Sequence, residues 1–459
     1  MTRKTKRWNR TLQVIMAAVS IAAVGRQAQA ATGTVTVDYS KPLQTIDGFG
    51  AAITWVANDF GNFSAANQTA ILDALYNTNV PSAGLSWIRV GTMLCEFNPS
   101  PGTYDFNHYF IQSEMSWLNR VSATYGVNNV LASTWTPPAW MKSNNSCANG
   151  GSVLPEHYQD LANTKVLWLQ NAQAALGREI NIESVQNEPD VSASYDSCTY
   201  TTDQMTSFVT GYLKPALTSA GLTSKLMVPE PSVYGGTSFF ANNWAIPLLS
   251  NPTMAADVDI MATHGYGQLQ NLSQPCTTCT QYGKPYWQTE VMNNKGGYTG
   301  TITNGQTWST SIYQALNKGG FRAWFYWWAI NYTADNQGLI NYSNTAWTYQ
   351  IPKRLYTIGH FSRFMRPGST LLTSTSSSTS LESTAAIPTT GSLALVLSNV
   401  SAQSITVTVS LASTASPPAS VTPYITSATQ NQAQLAAIPV TASKFTITIP
   451  ANAIVTVVG

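Results

Sequence analysis

Between Lys225 and Glu290 the chain reads KLMVPE (Lys225–Glu230), DIMATHGY (Asp259–Tyr266) and PYWQTE (Pro285–Glu290). Each run is short, apolar or β-branched, and ends on a polar or ionisable residue, the form of a parallel strand buried on both faces and opening into a loop. Working outward, five more such runs begin at Ile46 (IDGFGAA), Ser86 (SWIRV), Val130 (VLASTW), Glu183 (ESVQNE) and Phe321 (FRAWFYWW). Successive starts are 40, 44, 53, 42, 34, 26 and 36 residues apart, room for one crossover helix each. Segments Ala66–Tyr76, Tyr109–Tyr125, His157–Leu176, Asp203–Ala220 and Leu355–Met365 carry apolar residues at helical three and four spacing. Eight βα units predict an α/β chain closed as a (β/α)8 TIM barrel over residues 46–366, with an open doubly wound sheet as the alternative.

After Arg366-Pro367-Gly368 the composition changes: the last 91 residues hold two charged side chains, Glu382 and Lys444, among many Ser and Thr. Leu393–Val400, Ile405–Leu411 and Phe445–Pro450 alternate every second residue, so residues 367–459 are expected to form a C-terminal side β-sandwich. Gly33–Tyr39 alternates likewise, and residues 31–45 are expected to join it. With no His, Arg or Cys, this unit reads as a packing module rather than a seat of catalysis.

The formal net charge of +2 conceals an acidic body. Six of the 23 Lys and Arg (Arg3, Lys4, Lys6, Arg7, Arg10, Arg26) and none of the 21 acids fall in the first thirty residues. That basic start, the apolar run Leu12–Val24 and Ala28-Gln29-Ala30 form a signal-peptide pattern over residues 1–30, the alternative being an uncleaved anchor. A secreted protein, extracellular or periplasmic, is therefore expected from Ala31 onward, monomeric and off the membrane once cleaved. No later run approaches the ~20 apolar residues of a membrane span, and no basic footprint invites nucleic acid. In an oxidising compartment five cysteines allow at most two bridges. Cys276-Thr-Thr-Cys279 has no second such pair, and the histidines (His108, His157, His264, His360) form no H-E-x-x-H, so a loop disulfide is expected there rather than a zinc site. Cys147 and Cys198, in adjacent βα loops, are expected to form the other.

Reactive groups of a barrel stand at the carboxyl ends of its strands. Those ends hold Arg89, Trp135, Asn187 with Glu188, Glu230, His264 with Tyr266, Glu290, and Trp327 with Trp328. Glu188 and Glu290, on the fourth and seventh runs, suit glycoside hydrolysis, in which one carboxylic acid protonates the leaving oxygen and one carboxylate attacks or stabilises an oxocarbenium-like centre. Aromatic rings nearby offer flat faces for sugars. Glu183, five positions before Glu188, is expected to point to the opposite side. Glu230 is read as a structural or substrate-contacting carboxylate rather than the acid, and His264 equally as a core histidine or a site residue. There is no G-x-S-x-G, no phosphate-binding loop, and Asp47-Gly48-Phe49-Gly50 lacks a dinucleotide fingerprint.

TIDGFGAAITW (Thr45–Trp55), STWTPPAWMK (Ser133–Lys142), SVQNEPD (Ser184–Asp190), THGYG (Thr263–Gly267), WQTEV (Trp287–Val291), YWW (Tyr326–Trp328) and GHFSRFMRPG (Gly359–Gly368), in this order, resemble glycoside hydrolase family 30, most nearly its bacterial xylanase branch. The resemblance implies a retaining hydrolase of a plant cell-wall β-glycan, xylan first, with Glu188 as general acid/base and Glu290 as nucleophile. It further implies that Asn187 bonds the sugar 2-hydroxyl, Tyr266 orients Glu290, Arg89 keeps Glu290 ionised, and Trp135 and Trp328 shape the cleavage subsite, with His264 grouped among the substrate-binding residues. No metal or organic cofactor is implied. Family members that require a glucuronate branch carry an arginine just after the Trp-Trp pair; here that stretch is Ala329-Ile330-Asn331-Tyr332-Thr333. A strict glucuronate requirement is therefore not expected, Lys295 being the cation able to substitute. The alternatives are a β-1,6-glucanase, a β-1,6-galactanase or a glucosylceramidase-like hydrolase. A polysaccharide-binding protein without catalysis is the alternative of another class, and both glutamates in their motifs weigh against it.

Overall fold

The structure, a computed structural model, describes residues 31–234, 237–267, 275–293, 297–332 and 334–459. The signal-peptide reading and Lys295 fall outside these residues.

Strands β1 (Ala31–Thr45), β2 (Gly48–Ala52), β3 (Trp87–Gly91), β4 (Asn129–Ser133), β5 (Ile182–Ser184), β6 (Lys225–Pro229), β7 (Ile260–His264), β8 (Tyr286–Glu290) and β9 (Ala323–Asn331) follow the predicted runs. From β2 to β9 each strand pairs in parallel with the next, and β9 also pairs with β2, closing the barrel. Closure excludes the open sheet. Helices Ala65–Tyr76, Tyr109–Tyr125, Tyr158–Leu176, Ile302–Asn317 and Lys353–Ser362 cover the outside. Their ends are set by local chemistry: Ser64 and Thr301 accept N-cap hydrogen bonds, and Gly126 and Gly177 close helices in the left-handed conformation. Among the described residues, the crossover from β7 to β8 holds the helix Thr277–Gln281, which the Cys276–Cys279 disulfide ties to its own start.

Inside the barrel, Trp87, Leu131, Ile182, Met227, Ile260, Trp287 and Phe325 fill the amino-terminal half. Gly50 is required there, because a Cβ would stand 2.3 Å from the Phe325 ring. This plug leaves the carboxyl half of the interior for polar groups.

Two further strands, β10 (Gly338–Tyr342) and β11 (Tyr349–Gln350), extend the barrel sheet beyond β9. The second sheet contains β12 (Thr370–Ser376), β13 (Leu381–Ile387), β14 (Ala394–Asn399), β15 (Ile405–Ala412), β16 (Ser420–Thr426), β17 (Ala433–Gln434), β18 (Ile438–Pro439), β19 (Lys444–Ile449) and β20 (Ala453–Val458). β1 inserts into it, antiparallel to β12 and parallel to β15. The sheet curls over a core that includes Val35, Val37, Leu395, Val407, Phe445 and Val455. Helix Lys353–Ser362 docks it to the barrel: His360 bonds Thr456 Oγ1 (2.7 Å) and Thr426 Oγ1 (2.8 Å), while Gln432 Nε2 donates to Ser82 O (2.8 Å) across the junction.

The expected Cys147–Cys198 bridge is corrected. Cys147 bonds Cys95, which the short helix Leu94–Phe97 brings to a Cα separation of 6.1 Å, and Cys198 is free. Ser197 N–H does donate to Cys147 O, but the next side chain, Cys198, turns inward into the apolar core.

Candidate active site

Arg89, the central residue of β3, points into the barrel with 0% exposure. A buried guanidinium is costly unless its donors and charge are satisfied. Nε donates to Ser133 Oγ (3.0 Å), Nη1 to Glu290 Oε2 (2.5 Å) and Nη2 to Asn187 Oδ1 (2.6 Å), and Nη2 lies 3.3 Å from Glu230 Oε1. One cation thereby ties together groups delivered by β4, β5, β6 and β8.

Glu290 ends β8, and the Tyr266 hydroxyl donates to its Oε1 at 2.7 Å, so both its oxygens are held. Glu188 follows β5 with φ 48°, and its N–H donates to the carbonyl of Glu230, itself at φ 58°. Such left-handed backbone in a bulky residue is strained and persists where surrounding bonds over-determine it. Glu188 Oε1 lies 3.1 Å from His264 Nδ1, and Oε2 accepts from the Tyr195 hydroxyl at 2.9 Å. A carboxylate oxygen of Glu188, one of Glu290 and a ring nitrogen of His264 all lie within 4.8 Å of one another.

Burial drives the His264 pKa down, but the charges of Glu290, Glu188 and Glu230 outweigh it and raise it to about 10, so the ring is a cation. Burial pushes Glu230 up, and Arg89 and His264 outweigh that, holding it at about 2. Glu188 is likewise pushed up by burial and brought below the ordinary glutamate value by His264, Tyr195 and Arg89. Three carboxyl groups thus gather around Arg89 and His264. Among the described residues, Glu188, His264 and Glu290 are the group close enough to share a metal ion. Arg89 and Tyr266 already hold both oxygens of Glu290, and Tyr195 holds one of Glu188, an arrangement suited to proton transfer.

Trp135 and Trp327 are buried beside Arg89, whose guanidinium carbon sits 4.6 Å from the Trp135 ring centroid. Trp55 meets Trp135 edge-on (5.4 Å), Trp328 stacks on Trp327 (4.9 Å), and Trp328 Nε1 donates to Thr54 O, completing an aromatic wall. Arg89 fixes the Asn187 amide oxygen, so the amide nitrogen is the end left to donate. Arg89 and His264, grouped from sequence with sugar-contacting residues, have no exposed surface and act on the carboxylates from beneath. Glu230 is fully buried, with Oε2 accepting from Ser133 Oγ (3.0 Å) and Ser184 Oγ. Glu183 faces the helix layer, paired with Lys165 Nζ at 2.5 Å. Sequence reasoning missed Tyr195, a loop tyrosine without periodicity or motif. It also missed Ser133 and Ser184, visible only as polar residues on buried strands.

Residues 138–345 match the sequence profile of a glycosyl hydrolase catalytic core, and residues 368–457 that of the glycosyl hydrolase family 30 beta sandwich domain. The chain is 27% identical over 387 residues to "Putative glucosylceramidase 3" of Caenorhabditis elegans, covering 75% of this chain and 71% of that protein. It is 25% identical over 358 residues to "Glucuronoxylanase XynC" of Bacillus subtilis (strain 168), covering 74% and 71%. The solved catalytic domain of GH30 xylanase C from Talaromyces cellulolyticus superposes with a TM-score of 0.81 at 25% identity, covering 93% of this chain and 99% of that one. Barrel, sandwich and sequence agree that the chain belongs to glycoside hydrolase family 30.

Proposed function

We propose that the chain is a secreted, retaining endo-β-1,4-xylanase of the plant cell wall with no strict need for a glucuronate branch. The observation that carries the retaining mechanism is the approach of Glu188 and Glu290, one carboxylate oxygen of each lying within 4.8 Å of the other. Retaining pairs stand about 5 to 5.5 Å apart, whereas inverting pairs leave about 6.5 to 9.5 Å for a water. In the first step a Glu290 oxygen forms a bond to the anomeric carbon, the glycosidic C–O bond breaks, and the Glu188 proton passes to the departing oxygen. Glu188, now anionic, faces His264 and Tyr195, while the esterified Glu290 has lost its charge. In the second step Glu188 takes a proton from water, the hydroxide oxygen bonds the anomeric carbon, and Glu290 leaves as a carboxylate held by Arg89 and Tyr266. Preorganised donors at both carboxylates reduce reorganisation during reaction. Asn187, bound through its oxygen to Arg89, is placed to bond the sugar 2-hydroxyl, and the tryptophan wall shapes the cleavage subsite.

Xylan is supported by the xylanase names among the relatives, and the glucosylceramidase name favours a second reading, a glucosyl–lipid bond. Product analysis on xylan, glucuronoxylan, β-1,6-glucan, arabinogalactan and glucosylceramide decides between them. The roles are tested by substitution. Glu188→Ala should slow substrates with poor leaving groups most and regain turnover with azide, which attacks the glycosyl-enzyme without a base. Glu290→Ala should be nearly inactive on every substrate. Equal loss across leaving groups for Glu188→Ala would contradict the assignment.

A further inference from the structure

We infer that a cavity at the ends of β9 and β10 receives an uncharged sugar branch of the glycan and disfavours an acidic one, an inference that rests on the xylanase reading above. β9 runs past Trp328 to Asn331, and β10 lies parallel beside it, with Gly338 opposite Trp328 and Asn341 opposite Asn331. The ends of these strands, with Tyr298 from the segment after β8, enclose a cavity of about 440 Å³. That size is within the ~300 to 1,000 Å³ of small-ligand sites.

Its place relates it to the cleft. β8 delivers Glu290, and Trp328 lies on β9. The Tyr342 hydroxyl donates to Asp59 Oδ2 (2.6 Å), on the segment after β2 whose Thr54 carbonyl holds Trp328. From Trp328 to Tyr332 is about 13 Å of extended chain, too far for the sugar being cleaved and suited to a substituent or a neighbouring unit. Glu188 follows β5, across the ring from β9, so the leaving group departs on the opposite side and the cavity serves the part retained on Glu290.

The lining gives the chemistry. Tyr332 is 49% exposed and stands 6.2 Å from the Tyr342 ring, inclined at 60°. With Tyr298, Ser343 and Gln350 it offers aromatic faces and neutral hydrogen-bonding groups, and among the described residues none lining the cavity is charged. Behind it, Arg354 is fully buried and its donors are taken by Gly338 O (2.8 Å), Thr299 O (3.0 Å), Asn336 Oδ1 (3.0 Å) and Asn341 Oδ1 (2.6 Å). Besides Arg354, the ionisable groups beside the cavity among the described residues are carboxylates: Asp59 under Tyr342, and Asp335, which accepts from Asn331 Nδ2 at 2.8 Å. An acidic branch would lose hydration here and gain repulsion, whereas a neutral one keeps its hydroxyl partners.

The test compares kcat/KM of wild type, Tyr332→Ala, Gln350→Ala and Tyr332→Arg on three xylans: unbranched, arabinose-branched and glucuronate-branched. Wild type should prefer the arabinose-branched to the glucuronate-branched polymer. Tyr332→Ala should cut the ratio of arabinose-branched to unbranched efficiency by about tenfold, and Gln350→Ala should move it the same way by less. Tyr332→Arg should raise the ratio of glucuronate-branched to unbranched. Wild-type preference for the glucuronate-branched polymer, or ratios unmoved in all three variants, overturns the inference while leaving the xylanase reading standing. Cleavage of none of the three polymers overturns both.

Discussion

As the proposed general acid, Glu188 would hold a proton when a glycan arrives and give it up as the bond breaks, and its neighbours set that balance. In the open cleft His264, Tyr195 and Arg89 hold its carboxyl below the ordinary glutamate value despite burial. A sugar against the tryptophan wall excludes the remaining water and raises it, because desolvation disfavours the anion. The alkaline limb of kcat, which reports the bound enzyme, should therefore lie at higher pH than that of kcat/KM, which reports the free enzyme. His264→Asn removes a cation 3.1 Å from Glu188, so both limbs should move to higher pH. Limbs that stay or move down would show that His264 does not act on Glu188. The glutamates were legible in the sequence because they end strand runs. The partners that tune them were not: Tyr195 lies in an irregular loop, and the left-handed backbone at Glu188 and Glu230 has no sequence mark, since neither is Gly or Asn.

At the scale of elements, the eight barrel strands were readable because a strand buried on both faces must be a short apolar run. KLMVPE and PYWQTE fall on β6 and β8 for that reason. Loop connections carry no such period, and the cysteines show it. Cys95 was left without a partner by spacing alone, yet the helical turn Leu94–Phe97 aims it at Cys147. Closing a loop of 52 residues, this bridge links the segments after β3 and β4, and its loss should cost roughly 4 kcal/mol by chain-entropy reasoning. Cys95→Ala and Cys147→Ala should each lower Tm markedly in calorimetry, and an unchanged Tm would refute the pairing. The free thiol of Cys198, buried and pushed up to about 12 by desolvation, should react with thiol reagents only after denaturation. Labelling of the native protein would contradict that.

Over the whole molecule, the sandwich takes β1 from one end of the chain and β12 to β20 from the other, and it rests on the helix that follows β11. Alternation of apolar residues made the sandwich legible, but its coupling to the barrel was not, since His360 and Gln432 act through single side chains far apart in sequence. Burial, and then Arg363, lower the His360 pKa from 6.5 to about 3. The unfolded chain therefore binds a proton that the folded one refuses: stability is full above pH 6.5 and falls as the pH drops toward 3. Barrel and sandwich should unfold in one transition whose midpoint declines across that window, and His360→Gln should flatten the decline. Two separated transitions would contradict the coupling. The most direct test of the central claim, double displacement by Glu188 and Glu290, is the anomeric configuration of the first product, followed by proton NMR during rapid hydrolysis of a β-xylo-oligosaccharide. The account predicts the β-anomer first, with the α-anomer appearing only as mutarotation proceeds; an initial α-anomer would contradict it.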